Sequence, residues 1–438
     1  MRKAYHRKWG IKMNTKEQVM KKIDSCVQEY VDFLKEVVSA DTRIFEHGKR
    51  GNEDNGQKIV KKFLEKYGAE IDEFEPTYEE MSFCPEVNLD HEYEGRHNVV
   101  GTFKGKGGGK SLLFNGHMDT VDFGDLSLWK TGPTQPFIND GKLYGRGACD
   151  MKGGLCASLM AMKAICDCNI QLKGDVFYES VIDEEGGGNG TLSCCARGYH
   201  ADAGIIPEPS DLWLAPAHMG WLIYEVEVEG RANHCGAKWD GVNAIEKMEK
   251  IIIGLQEAER EWALTRRHPY LPPQSLSIDT INGGVASTIV PDKCKMEFIV
   301  HFQPHYEEGY TWMGEKYDKE VREIIKRIAI SDPWMEKHLP KVTLYQLGSS
   351  CDIGIEHPIC VELSEQTMQI RGEAPKCKGL VSGADGRLLN NYANTPTVHF
   401  GPGAMEIGHT VNEYIPLQEY IDCIKIFAGT IMDWCGVV

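Results

Sequence analysis

SLLFNGHMDT, at residues 111–120, decides the fold. Leu112, Leu113 and Phe114 run into Asn115 and Gly116, and His117 and Asp119 follow. An apolar run this short, closed by a glycine turn, reads as a strand buried on both faces rather than as one side of an amphipathic helix. The same pattern recurs at VFYESVI (176–182), AGII (203–206) and PTVHF (396–400), with helical stretches such as 153–166 between. Short apolar strands alternating with helices predict an α/β sheet covered on both faces.

Toward the N-terminus, Val19, Ile23, Val27, Tyr30, Val31, Leu34 and Val38 recur mostly at spacings of three and four and mark one buried helical stripe. Asn14, with Glu17 three positions on, reads as its N-cap and capping-box partner. A second helix is predicted over 55–67, stopping at Gly68, and the polar, proline-interrupted stretch 75–96 reads as loop. The leader MRKAYHRKWGIKM is basic but has no apolar core of a signal peptide, so Met13 competes with Met1 as the start.

After Pro216 the pattern changes. WLIYEVEVEG (221–230) alternates as a strand with one wet face, 243–262 is helical, SLSIDTI (275–281) and KCKMEFIVHF (293–302) are strands, 314–330 is helical and KVTLYQL (341–347) is a strand. That β-α-β-β-α-β order suits a compact two-layer insert. The expected division is residues 1–216 plus 357–438 as one domain and 217–356 as the other. A chain of 438 residues exceeds the roughly 250–300 at which single cores stop growing, which also favours two domains.

Composition narrows the function. With 48 basic and 65 acidic residues the net charge is −17, which argues against nucleic acid or an anionic membrane as partner. No stretch approaches the roughly 20 apolar residues of a membrane span. The 15 cysteines form no Cys-x-x-Cys, so a zinc ribbon, a thioredoxin-like site and a secreted disulfide scaffold are disfavoured, and reduced thiols in the cytoplasm are expected.

Chemistry-bearing residues gather at five loops, most of them just past an apolar strand or at the turn after one. These are His117 and Asp119, Asp150, Glu184 and Glu185, Glu208 between two prolines, and His409. In open α/β sheets such loops converge outside the carboxyl ends of the strands. Two imidazoles and three carboxylates suit zinc, and five ligands exceed the three of a mononuclear catalytic site. They fit two metals about 3.5–4 Å apart. Asp150 is the expected bridge, with His117 and Glu208 on one metal and Glu185 and His409 on the other. Neighbouring side chains at a strand end point opposite ways, so Glu185 can ligate while Glu184 faces the substrate as general base. Asp119 is expected to accept the free N–H of the His117 imidazole and fix its orientation.

In order along the chain, Gly-His-x-Asp-Thr-Val, Gly-Arg-Gly-x-x-Asp-Met-Lys-Gly, Asp-Glu-Glu-x-Gly-Gly, Glu-Pro and Gly-His-x-x-Asn-Glu-Tyr resemble one family. It is the acetylornithine deacetylase / succinyl-diaminopimelate desuccinylase / carboxypeptidase G family of dinuclear zinc hydrolases, which also holds aminoacylases and dipeptidases. The resemblance spans roughly residues 15–435 and implies the same ligands, bridge, base and support. It implies a zinc-peptidase-like α/β/α catalytic domain with an inserted βαββαβ lid that forms a homodimer. In the lid, His234 matches a histidine that polarises the scissile carbonyl of the partner subunit's substrate, and Asn282 matches an asparagine that contacts substrate. His301 stands where many relatives have arginine. Arg387, in Ser-Gly-Ala-Asp-Gly-Arg, resembles a desuccinylase-type segment and is the expected contact for a substrate carboxylate.

The expected activity is amide hydrolysis on a small N-acyl amino acid with two Zn2+ ions (Co2+ as a substitute). Acetylornithine is the first substrate, and N-succinyl-diaminopimelate and dipeptides are the rivals. Two other classes compete: a dinuclear phosphoesterase, because Arg146 and Lys152 flank Asp150, and a non-catalytic binding module.

Overall fold

A computed structural model describes residues 15–305 and 313–438. The Asn14 cap and the leader up to Met13 lie outside the described residues. The chain divides into two compact units, Met1–Pro216 with Ile353–Lys378 and Ala384–Val438, and Ala217–Asp352 with Gly379–Gly383.

The first unit is built on a six-stranded sheet of β1 (Glu70–Phe74), β2 (Asn98–Phe103), β3 (Leu112–His117), β4 (Val176–Val181), β5 (Gly204–Ile206) and β6 (Thr397–His399). Their order is β6-β5-β3-β4-β2-β1. The four strands read as apolar runs are mutually parallel, while β2 and β1 add on antiparallel at one edge. Every residue of β3 is buried, as a strand covered on both faces requires. The α/β class therefore holds, with an antiparallel extension that the apolar runs did not announce.

Its helices are α1 (Val27–Ser39), α2 (Asp54–Lys66), α3 (Lys152–Asp167), α4 (Pro358–Arg371) and α5 (Leu417–Cys435). The first apolar stripe divides into a helical stretch over 15–25 and α1, parted by a turn at Cys26. Within 75–96 a short helix, Tyr78–Met81, is closed by a capping box between Thr77 and Glu80. α3 is buried from Lys152 to Ile165 because it lies between β3, α1 and α5. Gly154 is required there: a Cβ at this position would sit 1.8 Å from the Pro207 carbonyl oxygen, so only glycine lets α3 start against the end of β5.

The second unit is a four-stranded antiparallel sheet ordered Ser275–Gly283, Lys293–Phe302, Gly220–Glu229, Lys341–Gly348, with helices Ala244–Thr265 and Glu315–Ile330. Leu222, Tyr224, Val226 and Val228 alternate into its core and meet Met296, Phe298 and Val300. Tyr224 stacks on Phe298 at 5.0 Å. Residues 379–383 belong here because Leu380 donates its N–H to the Ala217 carbonyl at 3.0 Å and accepts from Met219 at 3.1 Å.

No described helix is long and apolar enough to cross a membrane. At the centre of the first unit, Phe114 stacks on Tyr178 with ring centroids 5.2 Å apart and meets Phe427 edge-on. Phe114→Ala is expected to lower unfolding stability by about 3–5 kcal/mol, read by denaturant titration.

Candidate metal centre

The carboxyl ends of the four parallel strands supply the site. His117 is the last residue of β3, Glu184 and Glu185 sit on the turn after β4, Glu208 follows β5, and His409 lies past β6. Asp150 stands just before α3. His117, Asp150 and Glu208 are buried, Glu184 and Glu185 half-buried, and His409 exposed.

Asp150 is the geometric centre. Its Oδ1 lies 3.2 Å from His117 Nε2 and its Oδ2 lies 3.3 Å from His409 Nε2. Glu185 Oε1 is 2.8 Å from His409 Nε2, and Glu208 Oε1 is 3.7 Å from His117 Nε2. Ligand-type atoms of His117, Asp150 and Glu185 all fall within 4.8 Å of one another. The two oxygens of one carboxylate thus face two different imidazoles, each beside a further acid.

The electrostatics show what this cluster lacks. Burial pushes the carboxyls of Glu184 and Glu208 well above the usual range, and the surrounding acids add to it. Burial would raise Asp150 too, but its hydrogen bonds with His117 and His409 outweigh it and hold that carboxyl low. Hydrogen bonds with Asp150 and Glu185 push His409 up to about 11. The crowding thus favours protons at the cluster, on the imidazoles beside Asp150 and on the carboxyls of Glu184 and Glu208. A divalent cation does the same work through neutral imidazole nitrogens, so the donor set fits a metal.

Buried charges hold each loop from behind. Glu413 Oε1 accepts the backbone N–H groups of Cys149 at 2.9 Å and Asp150 at 3.0 Å. Its other oxygen pairs with Arg146 Nη1 at 2.8 Å, and Arg146 Nη2 also donates to the His409 carbonyl at 3.4 Å. Sequence reasoning missed Glu413 as a support, although it stands inside the quoted Gly-His-x-x-Asn-Glu-Tyr. The pairing also removes the basic groups of the phosphoesterase reading. Arg146 is committed to Glu413, and Lys152 is buried with Nζ donating to the Ala40 carbonyl at 2.9 Å.

Two expectations are corrected. The His117 Nδ1 hydrogen bond goes to the backbone carbonyl of Asp119 at 2.9 Å, with the nearest carboxylate oxygen at 3.7 Å. The Asp119 carboxylate instead accepts the N–H groups of Glu184 at 3.2 Å and Glu185 at 2.9 Å, because it is turned toward the loop after β4. Arg387, expected at a substrate carboxylate, is 1% exposed and held by Glu86, Asp385 and two backbone carbonyls, so its guanidinium does not face a ligand. On the second unit, His234 and Asn282 are both exposed, the former before a 3-10 turn and the latter on strand Ser275–Gly283.

A model of peptidase family M20/M25/M40 matches residues 113–433. The chain belongs to that family. It is 33% identical to the N-formyl-4-amino-5-aminomethyl-2-methylpyrimidine deformylase of Halalkalibacterium halodurans over 97% of this chain and 98% of that protein. Against the acetylornithine deacetylase of Myxococcus xanthus identity is 27%, covering 77% of this chain and 84% of that one. Among solved structures, a tripeptidase from Staphylococcus aureus superposes with a TM-score of 0.71 at 20% identity, covering 93% of this chain and 98% of its own. The M20 chain is thus a metal-dependent hydrolase, and small-molecule amides or peptides are the substrates consistent with its relatives.

Two stability outcomes follow from this construction. Glu413→Ala leaves the buried Arg146 without its carboxylate and should cost about 3–5 kcal/mol, read by thermal or denaturant unfolding. Glu179, buried in β4 with Asn115 Nδ2 donating to it at 2.9 Å, is pushed up to about 7 by burial. The unfolded chain releases that proton near pH 4.3, so stability from this group is full below about pH 4.3 and is lost as pH rises to about 7. Glu179→Gln should therefore be more stable than wild type at about pH 8 and nearly equal to it at about pH 4, measured by unfolding at both.

Proposed function

We propose that this M20 hydrolase removes a formyl group from a small N-formylated amine, with an aminomethyl-pyrimidine as the amine, using two zinc ions (or cobalt) held by His117, Asp150, Glu185, Glu208 and His409. Asp150 would be the bridge, since each of its oxygens faces a different imidazole. Metals held there would supply Lewis acidity toward the acyl carbonyl and make water acidic enough to lose a proton near neutral pH. Glu184 takes that proton as the water attacks and passes it to the departing amine nitrogen, so the C–N bond breaks to give formate and a primary amine. Asp119 keeps Glu184 and Glu185 apart and aimed through their backbone N–H groups.

One observation carries the choice of acyl amine over acyl amino acid. Arg387, the side chain read as a carboxylate contact, is buried in its own ion pairs, and Arg146 and Lys152 are committed as well. A heterocyclic amine needs no such contact, and the near full-length likeness to a deformylase points the same way. Acetylornithine, N-succinyl-diaminopimelate and dipeptides remain the rivals. On the same reading the second unit is a lid and homodimer surface that carries His234 and Asn282 as substrate contacts, and cysteines with no Cys-x-x-Cys suit a cytoplasmic enzyme.

The test is a panel of N-formyl-aminomethylpyrimidine, N-acetylornithine, N-succinyl-diaminopimelate and dipeptides on zinc-loaded protein, scored by released formate and amine. Formyl substrate should lead, with acetylornithine about 100-fold lower in kcat/KM. A lead by acetylornithine overturns the substrate. Glu184→Gln should lower kcat about 100- to 10,000-fold with two metals still bound. Chelation should abolish turnover and zinc restore it.

A further inference from the structure

We propose that Arg387 is a positioning residue for the turn that carries Glu184, acting through the Gly187 carbonyl. This rests on the reading of Glu184 as the base. The turn closes on itself, because Gly187 donates its N–H to the Glu184 carbonyl at 2.8 Å and Gly188 donates to the Asp183 carbonyl at 2.7 Å. At its front end the Asp119 carboxylate holds the N–H groups of Glu184 and Glu185. At its back end the Gly187 carbonyl receives two donors, Arg387 Nη2 at 2.7 Å and Asn88 Nδ2 at 3.0 Å. The peptide that Arg387 grips, between Gly187 and Gly188, is therefore the one whose N–H closes the turn on the Asp183 carbonyl, immediately before Glu184.

The grip is built rather than incidental. Arg387 Nε donates to Glu86 Oε2 at 2.9 Å and Nη1 donates to the Ala384 carbonyl at 2.9 Å. Tyr392 in turn donates its hydroxyl to the other Glu86 oxygen at 2.7 Å. Of the three groups these bonds reach, Glu86 and Ala384 lie in segments remote in sequence from the turn and Gly187 is at its far end. The turn has been shaped to admit them: a Cβ on Gly188 would lie 2.4 Å from Asp385 Oδ1 and 3.0 Å from Arg387 Nη2, and Gly188 has a φ of +93°. Charge-assisted bonds from a planar, fully buried guanidinium fix direction as well as distance. Lysine keeps the charge but cannot reach Glu86, Ala384 and Gly187 together.

A base displaced by about 1 Å loses about 100-fold in rate without any change in what binds the substrate. Arg387→Lys should accordingly lower kcat about 10- to 100-fold, with KM within about twofold and the metal content per chain unchanged. Asn88→Ala, on an outer loop, removes the second donor to the same carbonyl and should lower kcat several-fold in the same manner. It decides the matter where Arg387→Lys does not fold. In Arg387→Ala, guanidinium chloride should restore part of kcat where equal sodium chloride does not. Normal kcat per metal-loaded chain, or a loss of metal that accounts for all the lost activity, overturns the inference. Glu184→Gln run in parallel separates the two claims. If that variant turns over normally, the base reading fails; if it is inactive while Arg387→Lys and Asn88→Ala keep normal kcat, only the positioning role fails.

Discussion

The structure depends on crowding acid groups where water cannot screen them. Asp150, Glu184, Glu185 and Glu208 converge with two imidazoles at the ends of the parallel strands, and burial alone pushes Glu184 and Glu208 upward. Like charges at this spacing repel strongly in a low-dielectric cup, so the fold carries a local penalty that cations relieve. The rest of the first unit can be read as the means of holding that cluster open to metal without letting its loops drift apart.

Three buried ionic devices do this, each gripping backbone rather than a ligand side chain. Glu413, paired with Arg146, holds the N–H groups ahead of Asp150. Asp119 holds the N–H groups of the Glu184–Glu185 pair. Arg387, paired with Glu86, holds the carbonyl that ends the same turn. Side chains that bind a metal must stay free to ligate, so their orientation is imposed through the peptide planes beside them. Glycines make this possible where guanidinium or carboxylate must approach the chain closely, as at Gly188.

This division explains what was legible in the amino-acid order. The ligand types stand on short loops just after apolar runs, so β3 to β6 and the cluster of His117, Asp150, Glu185, Glu208 and His409 could be read from local pattern. The antiparallel pair β1 and β2 could not. β1 reads Glu-Ile-Asp-Glu-Phe, with charges that suit an exposed edge and mimic a loop, and β2 has no alternation because all of it is buried. The supports were also hidden, since Arg146 meets Glu413, and Arg387 meets Glu86, across 267 and 301 positions of sequence. No spacing rule covers such pairs. Asp119 was expected to hold the His117 ring with its carboxylate, but that carboxylate turns to the neighbouring loop and leaves its own carbonyl to the imidazole. Its position two residues beyond His117 does not determine which of its oxygens faces the ring.

Charge balance connects the site to its substrate. Asp150, Glu185 and Glu208, with Glu184 as the proposed base, bring four negative charges when ionised, which two divalent cations would cancel. The basic groups nearest it in sequence or read as ligand contacts are committed elsewhere: Arg146 is matched by Glu413, Arg387 by Glu86 and Asp385, and Lys152 is directed at a carbonyl. A substrate carboxylate entering such a cup would be desolvated with no partner there, at a cost that an uncharged ring and a formyl group escape. Discrimination against acyl amino acids can thus arise from the pairing of basic side chains with the protein's own acids, with no steric exclusion required.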